Sequence, residues 1–476
     1  ASLALRLRYE DGFAAWLNGV EVARRRLPEV SDAQTLATDR RSPELESHYV
    51  PLTAGLLRPT GNVLALEVHP KNPERCPRVD AELSAADGAR VVRGPYLEQV
   101  TEDFADLAIH SDVPTTLQVR YGRGEARTPR DRVISGPNPG TSHRLRITGL
   151  RPGSTYHYQV ALKLQSGAVT DLPEAAFHTP PPRGRPLTFV VYGDSRSGHD
   201  VHARMVQSIL AEDPDLVLHT GDAVERGTEE ADWDRFFTVA GPLLRRVPVY
   251  LTAGNHEYAR RGQGAQRLFE LFATMFAPQP DPLMKMGATA LPRDVFAAPL
   301  GREAPETRDA GERGYYSFDA AGVHFVSLDS NQLRSGRQLR WLEDDLRRAQ
   351  QRRPRGTFVF AHEGPYSMGL HGDNGTLIRD YVPLLERYDV TIFFSGHDHD
   401  YERGKRGRLN YVVTGGGGAE LRSLRCGIPG KRPCKHTPAA FVNDHNYVRV
   451  EVLPGNVRLC PKLSDGTPLE PCRMLR

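Results

Sequence analysis

The sequence lacks any run of about 18 consecutive apolar residues, the minimum for a membrane-spanning helix, so we expect no membrane span. It also lacks a surplus of either charge, because 62 Lys and Arg balance 59 Asp and Glu to leave a net charge of +3. That value does not indicate a nucleic acid or a membrane surface as the main partner. No leader pattern precedes the strand-like LALRLRY (3–9), so we expect the first residue to follow a processing site or an artificial boundary.

Cysteine is scarce, with five residues in 476. Two pairs close short loops rich in proline or glycine, which predicts two disulfides and a secreted or periplasmic location. The alternative is a set of scattered, reduced thiols. Cys76 is left without a partner, and the predicted pairs are Cys426 with Cys434 and Cys460 with Cys472.

The composition is that of a globular protein, with 39% hydrophobic and 25% charged residues, and the length fits two or three domains. Residues 1–88 have the pattern of an all-β unit. Asn18-Gly19 lies between two short apolar runs, which predicts a type I′ hairpin. The segment NVLALEVH (62–69) alternates with period two, as a half-buried strand does.

Residues 91–181 form a second predicted β unit, with strand-like segments at short spacing. These segments are LQVRYG (117–122), HRLRITGL (143–150) and TYHYQVAL (155–162). The proline-rich HTPPPRGRP (178–186) then predicts a stiff linker.

The pattern changes from residue 187 to the C-terminus, where short apolar runs alternate with amphipathic segments. Helix-like stretches occur at 201–212, 230–240 and 336–350. Alternation of buried strands with helices indicates an α/β domain over 187–476.

Polar side chains of metal-ligand type follow several of these apolar runs, where the predicted strands end. In α/β sheets, sites assemble outside the carboxyl ends of the strands, so we expect these side chains to converge. Each residue alone is typical of a turn, a cap or a structural histidine, but the set indicates a site for Fe, Mn or Zn. The set consists of Asp194, Asp222, Asn255, His256, His362, His397 and His399.

The order of the motifs GD, GD, GNHE, VxxH and GHxH resembles that of calcineurin-like metallophosphoesterases. HEGPYSMGLH (362–371) and GHDHDYER (396–403) narrow the resemblance to purple acid phosphatases. The resemblance implies a multidomain protein whose α/β domain is a four-layer α/β/β/α sandwich. The two preceding β-sandwiches resemble a jelly-roll, galactose-binding-like domain and a fibronectin type III domain, with Tyr156 of LRPGSTY as its tyrosine corner.

The resemblance also implies individual roles around two metal ions. Asp194 and His399 would hold the first ion, and Asp222 would bridge both. The second ion would be held by Asn255, His362 and His397. His256 would contact phosphoryl oxygens, and His371 would bind substrate or protonate the leaving oxygen; a loop residue without such a role is the alternative for His371.

Two departures from the family pattern affect the first metal position. The family motif Gly-Asp-x-x-Tyr ends here in Glu225, so the tyrosinate ligand is missing, and the Asp-x-His of related enzymes reads Asp194-Ser195-Arg196. The first ion is then weakly held or ligated mainly by water, or else Glu225 or His199 replaces the missing ligands. Arg196 either faces the substrate phosphate, which its planar fork fits, or pairs with a nearby carboxylate.

These observations favour an enzyme that hydrolyses phosphate monoesters with a metal-activated hydroxide, acting on a phosphorylated small molecule or nucleotide. No phosphoenzyme is expected, because Ser195 and Ser395 have no partner base in sequence. The glycine run 415–418 is interpreted as a tight turn that lets the backbone approach the metal centre. Two alternatives stay open: a phosphodiesterase of nucleotide or lipid-type diesters, and an extracellular binding protein with a degenerate domain. A carbohydrate contact through the first domain is a further possibility.

Overall fold

A computed structural model provides the structure of the chain. It describes residues 2–475 apart from 10, 33, 39–45, 53, 59, 75, 76, 78, 87, 125–131, 137, 259–284, 287–313, 335, 423 and 425–436. Cys76, Cys426 and Cys434 lie outside the described residues, so the first predicted disulfide does too. Cys460 and Cys472 form the second predicted disulfide. No helix in the described ranges is long and apolar enough to cross a membrane.

The described residues between 2 and 86 form two three-stranded antiparallel sheets around one apolar core. Asn18 and Gly19 both have positive φ, 53° and 85°, which confirms the predicted hairpin turn. The sheets have the orders β4-β1-β6 and β3-β2-β5. Their strands are β1 (Ser2–Tyr9), β2 (Gly12–Leu17), β3 (Val20–Arg25), β4 (Glu46–Leu52), β5 (Leu64–His69) and β6 (Val79–Ala86).

The next β unit is built around one long strand, which pairs with four others. Tyr156 is buried at the end of this unit, and its hydroxyl accepts a hydrogen bond from the Arg151 N–H at 2.9 Å, as a tyrosine corner does. The strands are β7 (Val91–Val100), β8 (Phe104–Arg123), β9 (Arg132–Ser135), β10 (Gly140–Thr148), β11 (Thr155–Lys163), β12 (Val169–Asp171) and β13 (Ala175–His178).

The strands in the rest of the described chain form two mixed sheets. The first has the order β16-β15-β14-β25-β26-β27, and the second has the order β17-β18-β19-β20-β21-β23-β22-β24. The first sheet contains β14 (Leu187–Tyr192), β15 (Leu216–His219), β16 (Val249–Leu251), β25 (Asn446–Leu453), β26 (Asn456–Leu463) and β27 (Arg473–Leu475). The second contains β17 (Lys285–Met286), β18 (Tyr316–Ala320), β19 (Val323–Ser327), β20 (Thr357–Phe360), β21 (Ile392–Ser395), β22 (Tyr401–Arg406), β23 (Leu409–Thr414) and β24 (Ala440–Val442).

Helices cover the outer face of each sheet, which confirms the four-layer arrangement. Aromatic rings fill the space between the sheets. The ring centroid of Phe189 in β14 lies 5.2 Å from that of Phe325 and 5.0 Å from that of Phe358. Separate cores join the first sheet to two helices and the second sheet to the other two. The helices are α1 (His199–Ala211), α2 (Glu230–Leu244), α3 (Gly336–Gln351) and α4 (Val382–Arg387), the last directly after a π-helical turn, Leu377–Tyr381.

The second β unit packs against α2 rather than hanging from a free linker. The Tyr158 hydroxyl donates to the Arg245 carbonyl at 2.7 Å, and Arg93 Nε donates to Asp234 at 2.6 Å. Within the predicted linker, Arg183 donates to the carbonyl oxygens of Arg352 and Arg353. The proline-rich segment is therefore tied to the layers that follow it. The domain boundaries at 88, 91, 181 and 187 stay predictions.

The parallel strands determine where the site lies. β14, β15 and β16 run parallel in one sheet, and β19, β20, β21 and β23 run parallel in the other. Loops that follow these strands meet at one end of the sandwich, because parallel strands end at the same edge.

Replacing Tyr156 with Phe removes only the hydroxyl that accepts from Arg151. We expect the free energy of unfolding to fall by about 1 kcal/mol, the usual net contribution of such a bond. Urea unfolding followed by tyrosine fluorescence measures this change. Tyr121→Phe is the matched control, since its buried hydroxyl makes only a long contact of 3.5 Å with the Thr148 carbonyl. Equal effects of the two substitutions would contradict the assignment of Tyr156 as the corner.

Candidate metal centre

The loops after three strands bring Asp194, Asp222 and His362 together. One ligand atom from each of these buried side chains lies within 4.8 Å of the other two. Asp194 follows β14, Asp222 follows β15 and His362 follows β20, so both sheets contribute. The predicted convergence of strand-end ligands is therefore present in the fold.

Unusual backbone conformation accompanies three of the predicted ligands. Asp194, Asp222 and His397 have positive φ values of 59°, 53° and 71°. Non-glycine residues adopt this region at a cost, and such residues cluster at functional sites. The surrounding structure stabilises the turns here: the Asp194 N–H donates to the Gly221 carbonyl at 2.9 Å, and the His397 N–H donates to Asp194 Oδ2 at 3.0 Å.

The ligands predicted for the second ion lie close around His362. Its Nε2 atom is 3.0 Å from Asn255 Oδ1, 3.0 Å from His397 Nδ1 and 3.4 Å from Asp222 Oδ1. The other ring nitrogen of His362 donates to the Thr220 carbonyl at 2.9 Å, which fixes the tautomer that presents Nε2 to the centre.

The two ligands predicted for the first ion are also neighbours. His399 Nε2 lies 3.5 Å from Asp194 Oδ1, and the Nδ1 atom of His399 bonds the Glu420 carbonyl. Asp194 Oδ1 is buried and has no hydrogen-bond partner among the described residues. Since a buried oxygen without a partner is unfavourable, this atom is available to a cation.

The protonation states of the histidines also suit metal ligation. Burial lowers the pKa of His362 to about 3 and that of His399 to about 4. Burial and the nearby His362 lower the pKa of His397 to about 2. These rings are therefore neutral at pH 7, the form that ligates metal. Burial and the charge of Asp222 raise the pKa of Asp194, and the nearby Arg196 offsets this shift only in part. The donor set fits Fe, Mn or Zn.

Arg196 lies beside the first metal position. Its Nη1 atom donates to Glu225, and its Nε lies 3.5 Å from Asp222 Oδ2. The Glu225 carboxylate thus pairs with Arg196, and no described contact joins it to Asp194 or His399. The side chain of Arg196 is nearly buried, with 9% of its surface exposed, so the guanidinium is a built part of the site. Pairing with a carboxylate, one of the two interpretations of Arg196, is what the structure shows.

The two other histidines with predicted roles border the same site. The His256 N–H donates to Asp222 Oδ1 at 3.0 Å, and its ring Nε2 is 3.8 Å from Asp222 Oδ2. The His371 ring stacks on His397 with 3.7 Å between centroids, and its Nδ1 lies 2.9 Å from Asp398 Oδ1. All nine predicted site residues are therefore assembled around one centre, although their individual roles stay predictions.

The glycine run after β23 approaches the centre closely. A Cβ on Gly415 would lie 2.2 Å from the Asp398 carbonyl oxygen and 2.9 Å from Asp194 Oδ2. The Gly417 N–H donates to the Gly193 carbonyl at 2.8 Å, and the Ala419 N–H donates to the Asp194 carbonyl at 2.7 Å. The run is a tight turn against the site, as predicted.

Comparison with known proteins agrees with this geometry. Residues 187–401 match the family model described as calcineurin-like phosphoesterase. These residues form a calcineurin-like phosphoesterase domain. Purple acid phosphatase 21 of Arabidopsis thaliana is 28% identical over 302 residues, which is 60% of this chain and 61% of that protein. A relative from the same plant named probable inactive purple acid phosphatase 9 is 25% identical, over 58% of this chain and 44% of that protein.

The chain spans about three fifths of the length of purple acid phosphatases 21 and 22 of Arabidopsis thaliana. Among solved structures, the purple acid phosphatase PPD1 from yellow lupin seeds superposes with a TM-score of 0.62 at 17% identity. That match covers all of this chain and 93% of the lupin chain. At this identity the likeness establishes the fold, including the strand-rich sandwiches before the phosphoesterase domain.

Sequence reasoning missed Glu257, which shapes the candidate metal centre through the backbone N–H groups around Asp222. Its Oε2 accepts from the N–H groups of Asp222 at 2.8 Å and Gly254 at 2.6 Å. Its Oε1 accepts from the N–H groups of Ala223 and Val224. Burial and the Asp222 charge raise the pKa of Glu257 to about 8, although the backbone hydrogen bonds act to lower it. The sequence did contain a signal for a role of Glu257, because this residue is the last one of the GNHE motif.

Asp398 was also missed, although it lies between the two histidines of GHDH. It accepts from the His371 ring and the Ser367 hydroxyl, and its own N–H donates to the Gly396 carbonyl. Burial alone would raise the pKa of Asp398, but the hydrogen bonds from His371 and Ser367 lower it to about 2. Asp398 is therefore an anion that orients the His371 ring.

Replacing Glu257 with Gln puts an NH₂ group against backbone N–H donors, because both carboxylate oxygens accept such bonds. We expect the turn that carries Asp222 to shift and the affinity for the transition metal to fall by about 10- to 100-fold. Calorimetric titration of the metal-depleted protein with Zn²⁺ or Mn²⁺ measures that affinity. The control is Glu343→Gln, an exposed residue of α3. Unchanged affinity in the Glu257 variant would show that these bonds do not position the ligand.

Proposed function

We propose that the chain is a metal-dependent phosphomonoesterase. The observation that carries the proposal is the convergence of Asp194, Asp222 and His362 from separate strand ends, with Asn255, His397 and His399 at their sides. The similarity to purple acid phosphatases supports this assignment.

Two ions of Fe, Mn or Zn would be held in this centre. Asp194 and His399 would bind one, and Asn255, His362 and His397 the other, with Asp222 between them. When bound, the pair would supply a hydroxide nucleophile at neutral pH and neutralise charge on the phosphoryl oxygens.

The chain's own residues would orient the ester around that centre. Arg196 and His256 both lie within 4 Å of Asp222, and both would bind the phosphoryl oxygens of an ester held there. The guanidinium fork suits two such oxygens. The transition state spreads charge over these oxygens, so donors fixed beforehand stabilise it more than the ground state.

His371 would deliver a proton to the leaving oxygen through Nε2. Asp398 accepts from its Nδ1, and Nε2 accepts a hydrogen bond from Arg422 Nη1 at 3.2 Å, so Nε2 would first have to take up a proton from solvent. A histidine oriented by a carboxylate on one nitrogen acts as an acid or base through the other. The stacking of His371 on His397 keeps the ring next to the metal centre.

A covalent phosphoenzyme through Ser195 does not fit the geometry. Ser195 Oγ does lie 3.1 Å from Nε2 of the buried His219, a pairing that the sequence did not reveal. However, Nδ1 of that ring accepts the Gly221 N–H at 3.2 Å. Burial also lowers the pKa of His219, so the neutral ring carries its proton on Nε2. Nε2 then donates to Ser195 and has no lone pair to take the serine proton.

A secreted or periplasmic location and a carbohydrate contact through residues 1–88 complete the proposal. The Cys460–Cys472 disulfide supports an oxidising location. The carbohydrate contact rests on the jelly-roll resemblance alone, and glycan-array binding of the full chain tests it.

Replacing Asp222 with Asn is expected to lower kcat for aryl phosphate hydrolysis by about 10²-fold or more and to reduce metal content. The reason is that a neutral amide would bind the cations more weakly than the carboxylate that would be shared by both ions. Steady-state assays and elemental analysis of the purified chain measure both. Asp344→Asn, an exposed residue of α3, is the control. Full turnover in the Asp222 variant would sink the assignment.

An aryl phosphate monoester should be hydrolysed with a higher kcat/KM than the corresponding bis-aryl diester. The monoester presents more negative charge to the two cations and to Arg196. The same assay series, run with Fe, Mn and Zn added in turn, compares both esters. A diester preference would make the chain a phosphodiesterase. Metal-free protein with no turnover of either ester would indicate a binding protein instead, the outcome that the inactive relative in Arabidopsis makes worth testing.

A further inference from the structure

A cleft of about 740 Å³ adjoins the metal centre on the side of His371. Its wall includes His371 and the loop Gly396–Asp398, so it is continuous with the position where the leaving oxygen departs. The 3₁₀ turn Ser330–Gln332 and the segment 372–376 form the other walls. Its volume is typical of sites for small-molecule ligands.

The chemistry of the lining is unusual for a site of this size. Small-molecule sites are mostly apolar and aromatic. Here Leu333 is the one large apolar side chain among the described lining residues, and none of them is Phe, Tyr or Trp. The cleft therefore offers hydrogen bonds and little surface on which an aryl group or a nucleobase could stack.

Two arginines and three carboxylates line the cleft, so its charges are close to balanced; Asp373 is the third carboxylate beside Glu363 and Asp398. Arg379 pairs with Asp380, and Asp398 is bound by His371. Arg334 is exposed and makes no ion pair among the described residues, and Glu363 accepts from Asn374 at 2.6 Å. A balanced lining does not favour a leaving group that carries a further strong charge.

Hydrogen bonds hold the polar wall in place. Asn331 Nδ2 donates to the carbonyl oxygens of Ala253 and Gly254, each at 3.3 Å. Gln332 Nε2 donates to Asp329 at 2.8 Å. Since these amide nitrogens are engaged, the amide oxygens are fixed as acceptors. Fixed acceptors discriminate strongly between ligands with and without hydroxyl groups.

We propose that this cleft binds the leaving group and that the leaving group is a neutral, polyhydroxylated alcohol. The substrate class would then be a sugar or polyol monophosphate. This inference rests on the phosphatase function proposed above and names its substrate class.

Two esters that differ only in hydroxyl groups test the inference. Glucose 6-phosphate and cyclohexylmethyl phosphate both release a primary alcohol attached to a six-membered ring. The full, metal-loaded chain should hydrolyse the sugar ester with a kcat/KM at least about tenfold higher. Phenyl phosphate serves as a third ester that reports on turnover without any demand on the polar wall.

Two variants on the cleft rim locate the effect. Thr376→Val keeps the side-chain shape but removes a hydroxyl, and Arg334→Gln replaces an exposed guanidinium by a shorter amide with fewer donors. Each should raise KM for glucose 6-phosphate several-fold, while KM for cyclohexylmethyl phosphate and inhibition by inorganic phosphate stay unchanged. Arg347→Gln, an exposed residue of α3 outside the cleft, is the matched control.

The outcomes separate this inference from the proposed function. Equal kcat/KM for the two ring esters, with phenyl phosphate hydrolysed, would overturn the substrate class and leave the phosphatase assignment standing. If the rim variants weaken inhibition by inorganic phosphate as much as they raise KM for glucose 6-phosphate, the cleft is not the leaving-group site. Absence of hydrolysis of all three esters would overturn both proposals.

Discussion

The charge and burial of two carboxylates, Asp194 and Asp222, determine the chemistry of the whole site. Burial and mutual repulsion raise the pKa of Asp194, and the nearest histidines are neutral because burial lowers the pKa of each. Arg196 is the one permanent positive charge that a described contact places beside Asp222. Cations that complete such a cluster of anions and neutral rings would stabilise it. The fold therefore holds ligands in a geometry that their own chemistry disfavours, which is how metal binding and folding become coupled.

The scaffold that enforces this geometry is the pair of sheets. The ligands come from loops of both sheets, and the aromatic core between the sheets keeps the two sets of strand ends in register. The loops then adopt left-handed conformations at Asp194, Asp222 and His397, supported by bonds between them and by Glu257. Local strain at three ligands is thus offset by a rigid core and by one carboxylate that binds four N–H groups.

Much of this architecture could be predicted from the sequence, and the reason is periodicity. Buried parallel strands appear in the sequence as apolar runs, and residues that end such strands share an edge, so the convergence of these side chains could be predicted without coordinates. Their individual roles came from the family resemblance and stay predictions. Glu257 and Asp398 were not assigned, because their partners are backbone groups and a distant ring that no spacing rule places together. The same holds for the pair Ser195–His219 and for the Arg196–Glu225 bond, each of which joins residues more than 20 positions apart. A polar cleft is even harder to predict from the sequence, because its shape depends on how several loops are arranged around it.

The Arg196–Glu225 pair changes the meaning of the departures from the family motif. Losing a tyrosine ligand and a histidine ligand could be interpreted as decay of the first metal position. However, the two residues that stand in those motif positions bond to each other, and the guanidinium also lies beside Asp222. Random decay does not predict complementary charges at both positions. A fixed guanidinium supplies positive charge that does not depend on metal concentration, and it binds phosphoryl oxygens in a fork that a metal ligand cannot provide. On the function proposed above, the first position would have exchanged two protein ligands for a charge that binds the substrate, and the departures from the family motif would then be a change of design.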